Sequence, residues 1–268
     1  MKARINRSQV FRFSLLALLL AMFPTEAHAS IAHIHHFEIF QNRLILGTHN
    51  GLFDFNADGK HQRISKSKFD VMGLAVTGDL IYASGHPGEG DPRPSLLGLL
   101  KSSDGGKNWK QVSLLGKTDF HLLEASGDVV VGGDSASGEL FFSEDAGRSW
   151  KRRGLNNFEA ISLSPLGTNA AFALSRGRLF STSDGFVSKQ RLTKFEAIAD
   201  IAWTKSGLFI SQGKNLLLST NLGEDWKVRH TFSGKIDAIR GARKTIYIAV
   251  GANIYRSIDA GKTFSLVN

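Results

Sequence analysis

The chain has 268 residues, 42% of them hydrophobic and 21% charged, with a formal net charge of +9. It has no cysteine, which excludes a disulfide framework, so an exported form must rest on an ordinary hydrophobic core. Lys and Arg are scattered rather than run together, which describes a solvated surface and argues against a nucleic-acid partner.

The first element is a targeting segment. Lys2, Arg4, Arg7 and Arg12 form a basic front, Phe13 to Phe23 is an apolar run too short to span a membrane, and Ala27-His28-Ala29 is a small-x-small cleavage site. Residues 1–29 are therefore expected to be a secretory signal cut near Ala29. Nothing later is apolar enough for a transmembrane helix. Residues 30–268 are expected to form one domain, monomeric and either secreted or periplasmic.

That domain is repetitive. The pattern Ser-x-Asp-x-Gly-x-x-aromatic appears at Ser102, Asp104, Gly106, Trp109; at Ser143, Asp145, Gly147, Trp150; and at Ser257, Asp259, Gly261, Phe264. Ser219, Gly223 and Trp226 form a further copy with Asn221 in the Asp place, and a worn copy is read at Ser181 to Ser188. Successive copies start about 40 residues apart, the period of a solenoid or propeller unit. Around each box lie short strands of β-branched and aromatic residues with Gly, Asn and Asp at the turns, as in Ile236–Ala242, Thr245–Val250, Asn253–Ser257 and Thr263–Val267. No segment after the signal shows sustained helical periodicity.

Counting back gives a first repeat over Ile34 to Ile64, with Asp54, Asn56 and Asp58 in the places of Ser, Asp and Gly. The step to the next box is longer because the Pro/Gly-rich stretch Gly85 to Pro94 is inserted. Six units follow, about 31–67, 68–115, 116–155, 156–193, 194–231 and 232–268. The expected fold is all-β, a six-bladed β-propeller of four-stranded blades, closed so that sheet edges are protected. In the boxes, Asp accepts turn N–H groups, Gly permits positive φ, and the aromatic wedges between blades. These residues are structural rather than catalytic.

Aligning the first three repeats brings out a polar set at the start of the innermost strands: His33-Ile-His35, Asp70-Val-Met72 and Asp119-Phe-His121. Alternate strand residues share a face, so each pair is expected to point toward the same channel mouth. The ends of the second strands add His49, His86 and Asp134, while the later units offer Glu159, Asp200 and Asp237 and no histidine there. Ligand binding is assigned to His33, His35, His49, Asp70, His86, Asp119 and His121. A transition metal, copper or zinc, is a candidate ligand of His33, His35, Met72 and His121, because imidazole and thioether suit such ions. The competing reading is a set of channel-lining polar groups bonded to one another and to water.

The boxes resemble the Asp-box, or bacterial neuraminidase, repeats of sialidase-like propellers, a group that includes sialidases, xyloglucan hydrolases, sortilin-type receptors and photosystem II assembly factors. The segments His33-Ile-His35, Thr48 to Phe53, Ser84 to Gly88, Leu99 to Trp109 and Asp119-Phe-His121 are most similar to small secreted bacterial propellers labelled glycosyl hydrolases. A sialidase would need an arginine triad and a tyrosine nucleophile. Tyr82, Tyr247 and Tyr255 instead sit in strand patterns that suggest packing. The favoured reading is a binding module for a protein, glycan or metal ligand through the His/Asp mouth. The alternative is a glycoside hydrolase using Asp70 and Asp119 as paired carboxylates.

Overall fold

The computed structural model describes residues 34–55, 61–192 and 195–267; the expected signal segment and His33 lie outside the described residues. These residues form six antiparallel four-stranded sheets, each built from four strands consecutive in the chain, and no helix. The sheets span residues 34–63, 70–113, 120–155, 160–191, 198–231 and 238–266. Their inner strands are Ile34–Phe40, Asp70–Thr77, Phe120–Ser126, Ala160–Leu163, Ile198–Thr204 and Ala238–Ala242, and each touches the inner strand of the next blade. The first also touches the last, so the chain is a closed six-bladed propeller.

Closure follows from how the apolar faces pair. Each blade leaves a hydrophobic face that only a neighbouring blade can cover, and six core clusters result, one per junction. The junction between the last and first blades buries Tyr247 against Ile39, Leu44, Leu46 and Phe53, and among the described residues no strand is exchanged to seal it. Burying one such side chain stabilises by about 1.5–3 kcal/mol.

The boxes cap the third strands as their composition predicts. Ser143 Oγ donates to Asp145 Oδ1 at 2.8 Å and accepts Gly147 N at 2.9 Å, while Asp145 Oδ1 accepts Ser149 N at 2.9 Å. The copies at Ser102, Ser219 and Ser257 repeat this scheme, with Asn221 Oδ1 serving in the Ser219 copy. Trp109, Trp150, Trp226 and Phe264 each pack into the junction with the preceding blade.

Two box assignments are corrected. In the fourth blade the motif begins at Thr182, not Ser181: Thr182 Oγ1 donates to Asp184 Oδ1 and accepts Phe186 N. Any hydroxyl can make these bonds, and Phe186, in the glycine place with φ +68°, fills the junction that lacks a box aromatic. In the first blade Asp54 lies opposite Ile45 and pairs with Arg43. By register Phe55, opposite Leu44, takes the place that Ser102 holds opposite Ile81. Residues 56–60, including Asn56 and Asp58, lie outside the described residues.

Candidate functional site

Four inner strands carry an extra residue, those of blades one to three and, between Ile198 and Ile201, that of blade five. Pairing passes from Ile34–Thr48 to His36–Gly47, from Val71–Gly85 to Gly73–Ser84, and from Phe120–Asp134 to Leu122–Gly133. His35, Met72 and His121 are therefore bulged. A bulge breaks strict alternation and re-aims its side chain. The expected shared face along each strand thus gives way to a geometry set residue by residue.

The result is two clusters rather than one. In the first, His35 Nε2 lies 3.3 Å from His49 Nδ1 and 3.3 Å from Asp70 Oδ1, and His49 Nδ1 lies 2.8 Å from Asp70 Oδ2. Both imidazoles come from blade one and the carboxylate from blade two. In the second, Asp119 Oδ2 lies 2.7 Å from His121 Nε2 and 3.3 Å from His86 Nε2. Here the carboxylate and one imidazole come from blade three, and His86 comes from blade two. The clusters adjoin, since Asp70 and His86 are paired across blade two. His35 and His121, expected to share one site, are separated because His35 turns to Asp70 of the next blade and His121 to Asp119 of its own. Met72 lies between them in strand order, half-buried.

Neighbouring groups hold the second cluster. His86 Nδ1 is 2.8 Å from the Ser95 carbonyl, so that nitrogen donates its proton there and Nε2 is turned toward Asp119. The inserted 85–94 stretch thereby acquires a role: it delivers Ser95, and it is tied down by Asp91–Arg93 pairing and by Leu97 N donating to Gly85 O. Ser135 Oγ donates to Asp119 Oδ2 at 2.8 Å, whereas Asp119 Oδ1 is buried without a hydrogen-bond partner. Asp134, expected at the rim, instead accepts Asp119 N and the Ser137 hydroxyl. Glu159 accepts from Arg176 N and Gly177 N, and Asp237 from Gly251 N.

Below the mouth lies a half-buried charge cluster that composition alone did not reveal. Arg240 Nε is 2.8 Å from Glu38 Oε1, and Arg240 Nη1 donates to Asp200 Oδ2 at 2.8 Å. Burial works against the guanidinium, but Asp200, Glu38 and Glu124 outweigh it and hold Arg240 protonated. With one cation among three carboxyls, burial pushes Glu38 up to about 7 and Glu124 well above the usual carboxylate range. His36 reaches across the channel to the His121 carbonyl at 2.9 Å, and burial, then Arg240, lowers it to about 4. These groups line a cavity of about 200 Å³. A signal existed: counted back from the hairpin turns that follow Phe40, Ser126 and Ala242, Glu38, Glu124 and Arg240 occupy the same level.

No protein-family model matches this sequence, and no curated protein does. Among solved structures the chain is similar to YCF48 bound to D1 peptide, with 18% identity over 88% of this chain and 82% of that one, at a TM-score of 0.54. It is also similar to the GH74 enzyme of Niastella koreensis, with 16% identity over 88% of this chain and 37% of that one, at 0.60. The extracellular domain of BT4673 from B. thetaiotaomicron is another, with 16% identity over 87% and 34%, at 0.57. This chain thus spans roughly a third of the latter two. At such identities the likeness is one of fold, and folds of this kind serve both enzymes and binding proteins. Among the described residues no helix is long and apolar enough to cross a membrane.

Proposed function

We propose that this protein is an exported binding propeller that engages its ligand at the His/Asp mouth and does not hydrolyse it. The observation that carries the reading is the gathering of four imidazoles around two carboxylates at one mouth by three adjacent blades, with His49, His86 and His121 still 39–45% exposed. Such a rim has acceptors, donors and open edges for a partner.

The same geometry disfavours a glycosidase. That chemistry needs two opposed carboxyls, one free to attack or to activate water and one holding a proton for the leaving oxygen. Asp119 is 4% exposed, and its Oδ2 is already within reach of two imidazoles and the Ser135 hydroxyl. Asp70 lies between His35 and His49. Sugar platforms are lacking as well: Trp109, Trp150, Trp203 and Trp226 all pack in blade junctions. YCF48, a propeller of similar length, has a bound D1 peptide, which supports a protein partner over a polysaccharide.

Incubation with xyloglucan, sialyllactose and a panel of nitrophenyl glycosides is expected to release no product. Turnover abolished by Asp119→Asn and by Asp70→Asn would replace this reading with hydrolysis. Export is tested by cell fractionation with N-terminal sequencing, where a start near Ser30 is expected.

A further inference from the structure

We propose that the mouth holds two adjacent sites for divalent first-row transition-metal ions, one at His35, His49 and Asp70 and one at His86, Asp119 and His121. This rests on the reading of the mouth as the ligand-binding face and names the ligand class.

The first argument is spacing. In the first cluster one donor atom from each residue lies within 4.8 Å of the others, the two imidazole nitrogens are 3.3 Å apart, and each is within 2.8–3.3 Å of a different Asp70 oxygen, close enough for one ion bound at about 2.1 Å. Two histidines and one carboxylate on one side of an ion are an arrangement that leaves coordination positions open. In the second cluster the three donor atoms lie within 4.8 Å of one another, with both nitrogens near the same Asp119 oxygen. Mixed imidazole and carboxylate donors suit iron, zinc, nickel or copper rather than calcium or magnesium, which take oxygen ligands.

The second argument is independent of spacing. A metal-bound imidazole commonly donates its other N–H to a carbonyl, and His86 Nδ1 does this to Ser95 O. Asp119 is oriented by Ser135, and its nearly buried carboxylate leaves Oδ1 without a hydrogen bond. Leaving a carboxylate oxygen bare in the interior is costly unless a cation compensates it. The third argument is recurrence. His49 and His86 both follow or end a second strand, and Asp70 and Asp119 both stand at the start of the next inner strand. A chance cluster has no reason to repeat one blade later.

The rival account is two histidine–aspartate networks without metal. The two accounts separate by titration. The full-length, tag-free protein is stripped with chelator, then titrated calorimetrically at pH 7.5 with Zn(II) and with Co(II), with elemental analysis after dialysis. Two equivalents are expected, with weak Co(II) absorption indicating six-coordination. His35→Ala and His121→Ala should each leave one equivalent, and the double variant none. Ser135→Ala should weaken one equivalent about tenfold and leave the other unchanged. All four variants touch partly exposed or rim groups, and matching thermal unfolding of the metal-free forms checks that they fold. Fewer than two equivalents in the wild type, or metal retained by the double variant, overturns the proposal. The glycoside panel, run on stripped and loaded protein, decides the binding reading separately, so the two can fail independently.

Discussion

The two halves of the ring share one architecture and use their acids differently. In blades one to three, the carboxylates at the inner strand starts, Asp70 and Asp119, face imidazoles. In blades four and six, Glu159 and Asp237 accept backbone N–H groups and close turns, and in blade five Asp200 binds Arg240 and Ile239 N. Inner strands bulge at His35, Met72 and His121 and again between Ile198 and Ile201 in blade five, whereas pairing runs without interruption in blades four and six. A repeated fold therefore offers the same strand geometry in both halves, and it is the residue types placed on it that gather the imidazoles in blades one to three. Arg240 of the last blade, bound to Glu38 of the first, joins the halves through the channel.

The sharpest break would come from removing that joint. Arg240→Met leaves the buried Asp200 and the half-buried Glu38 carboxyl without their cation and should cost about 3 kcal/mol at pH 8. The loss should shrink at pH 5, where the carboxyls take protons; denaturant unfolding at both values measures it. Next is Gly73→Ala. A Cβ there would sit 2.2 Å from the Phe120 carbonyl, whereas Ala238 holds the same level in blade six and already has one. A loss of about 3 kcal/mol is expected, together with the metal equivalent at His86, Asp119 and His121, because blades two and three must part.

A pair of like substitutions sharpens the contrast between the halves. Asp237→Asn should cost about 1 kcal/mol by weakening the bond to Gly251 N, without touching metal binding. Asp70→Asn should remove one metal equivalent with a smaller change in stability.

Glu124→Gln tests the channel by pH. Glu38 and Glu124 have raised pKa values, so the folded state keeps protons that the unfolded state gives up. Their contribution is full below about pH 4.5 and is lost as pH rises, through about 7 for Glu38. The charge-free amide should raise Tm by a few degrees at pH 8 and change little at pH 5. His36 works in the opposite sense, destabilising as pH falls from 6.5 toward 4, and is unaffected by this variant. The smallest effect is expected from Asp184→Asn. Its bonds to Ser188 and Thr182 lower its pKa to about 2, so it supports the fold above about pH 4 and loses that support in acid. The variant should flatten the fall in Tm between pH 4 and pH 2.

The fold was legible because its signals are local. A hydroxyl, a carboxylate and a glycine within five residues satisfy one another in a turn, and the aromatic that follows packs into the neighbouring junction. Thr182 shows the limit, since the bonding scheme tolerates a substitution that a motif reading shifts by one residue. Asp54 shows another, because its carboxylate answers to Arg43 in the strand before. In the mouth, the residue types were legible and their grouping was not. His35 finds its carboxylate in the next blade, and His86 likewise, through contacts between residues 33–35 positions apart in sequence, set by bulges that leave no mark in composition.

The sequence by itself determined that the chain repeats, that the repeats are β-blades, and that the first three blades collect histidines and aspartates near the channel. Hydrogen bonding within a turn and burial of alternate residues suffice for that, and both act over a few positions. Tertiary structure decided that the polar set divides into two triads and that Ser95 of the inserted loop orients His86. It also decided that Glu38, Glu124 and Arg240 meet in the channel. Those outcomes depend on how far each blade rotates against the next and on where each strand bulges. Ring closure sets both at once, for the whole chain together.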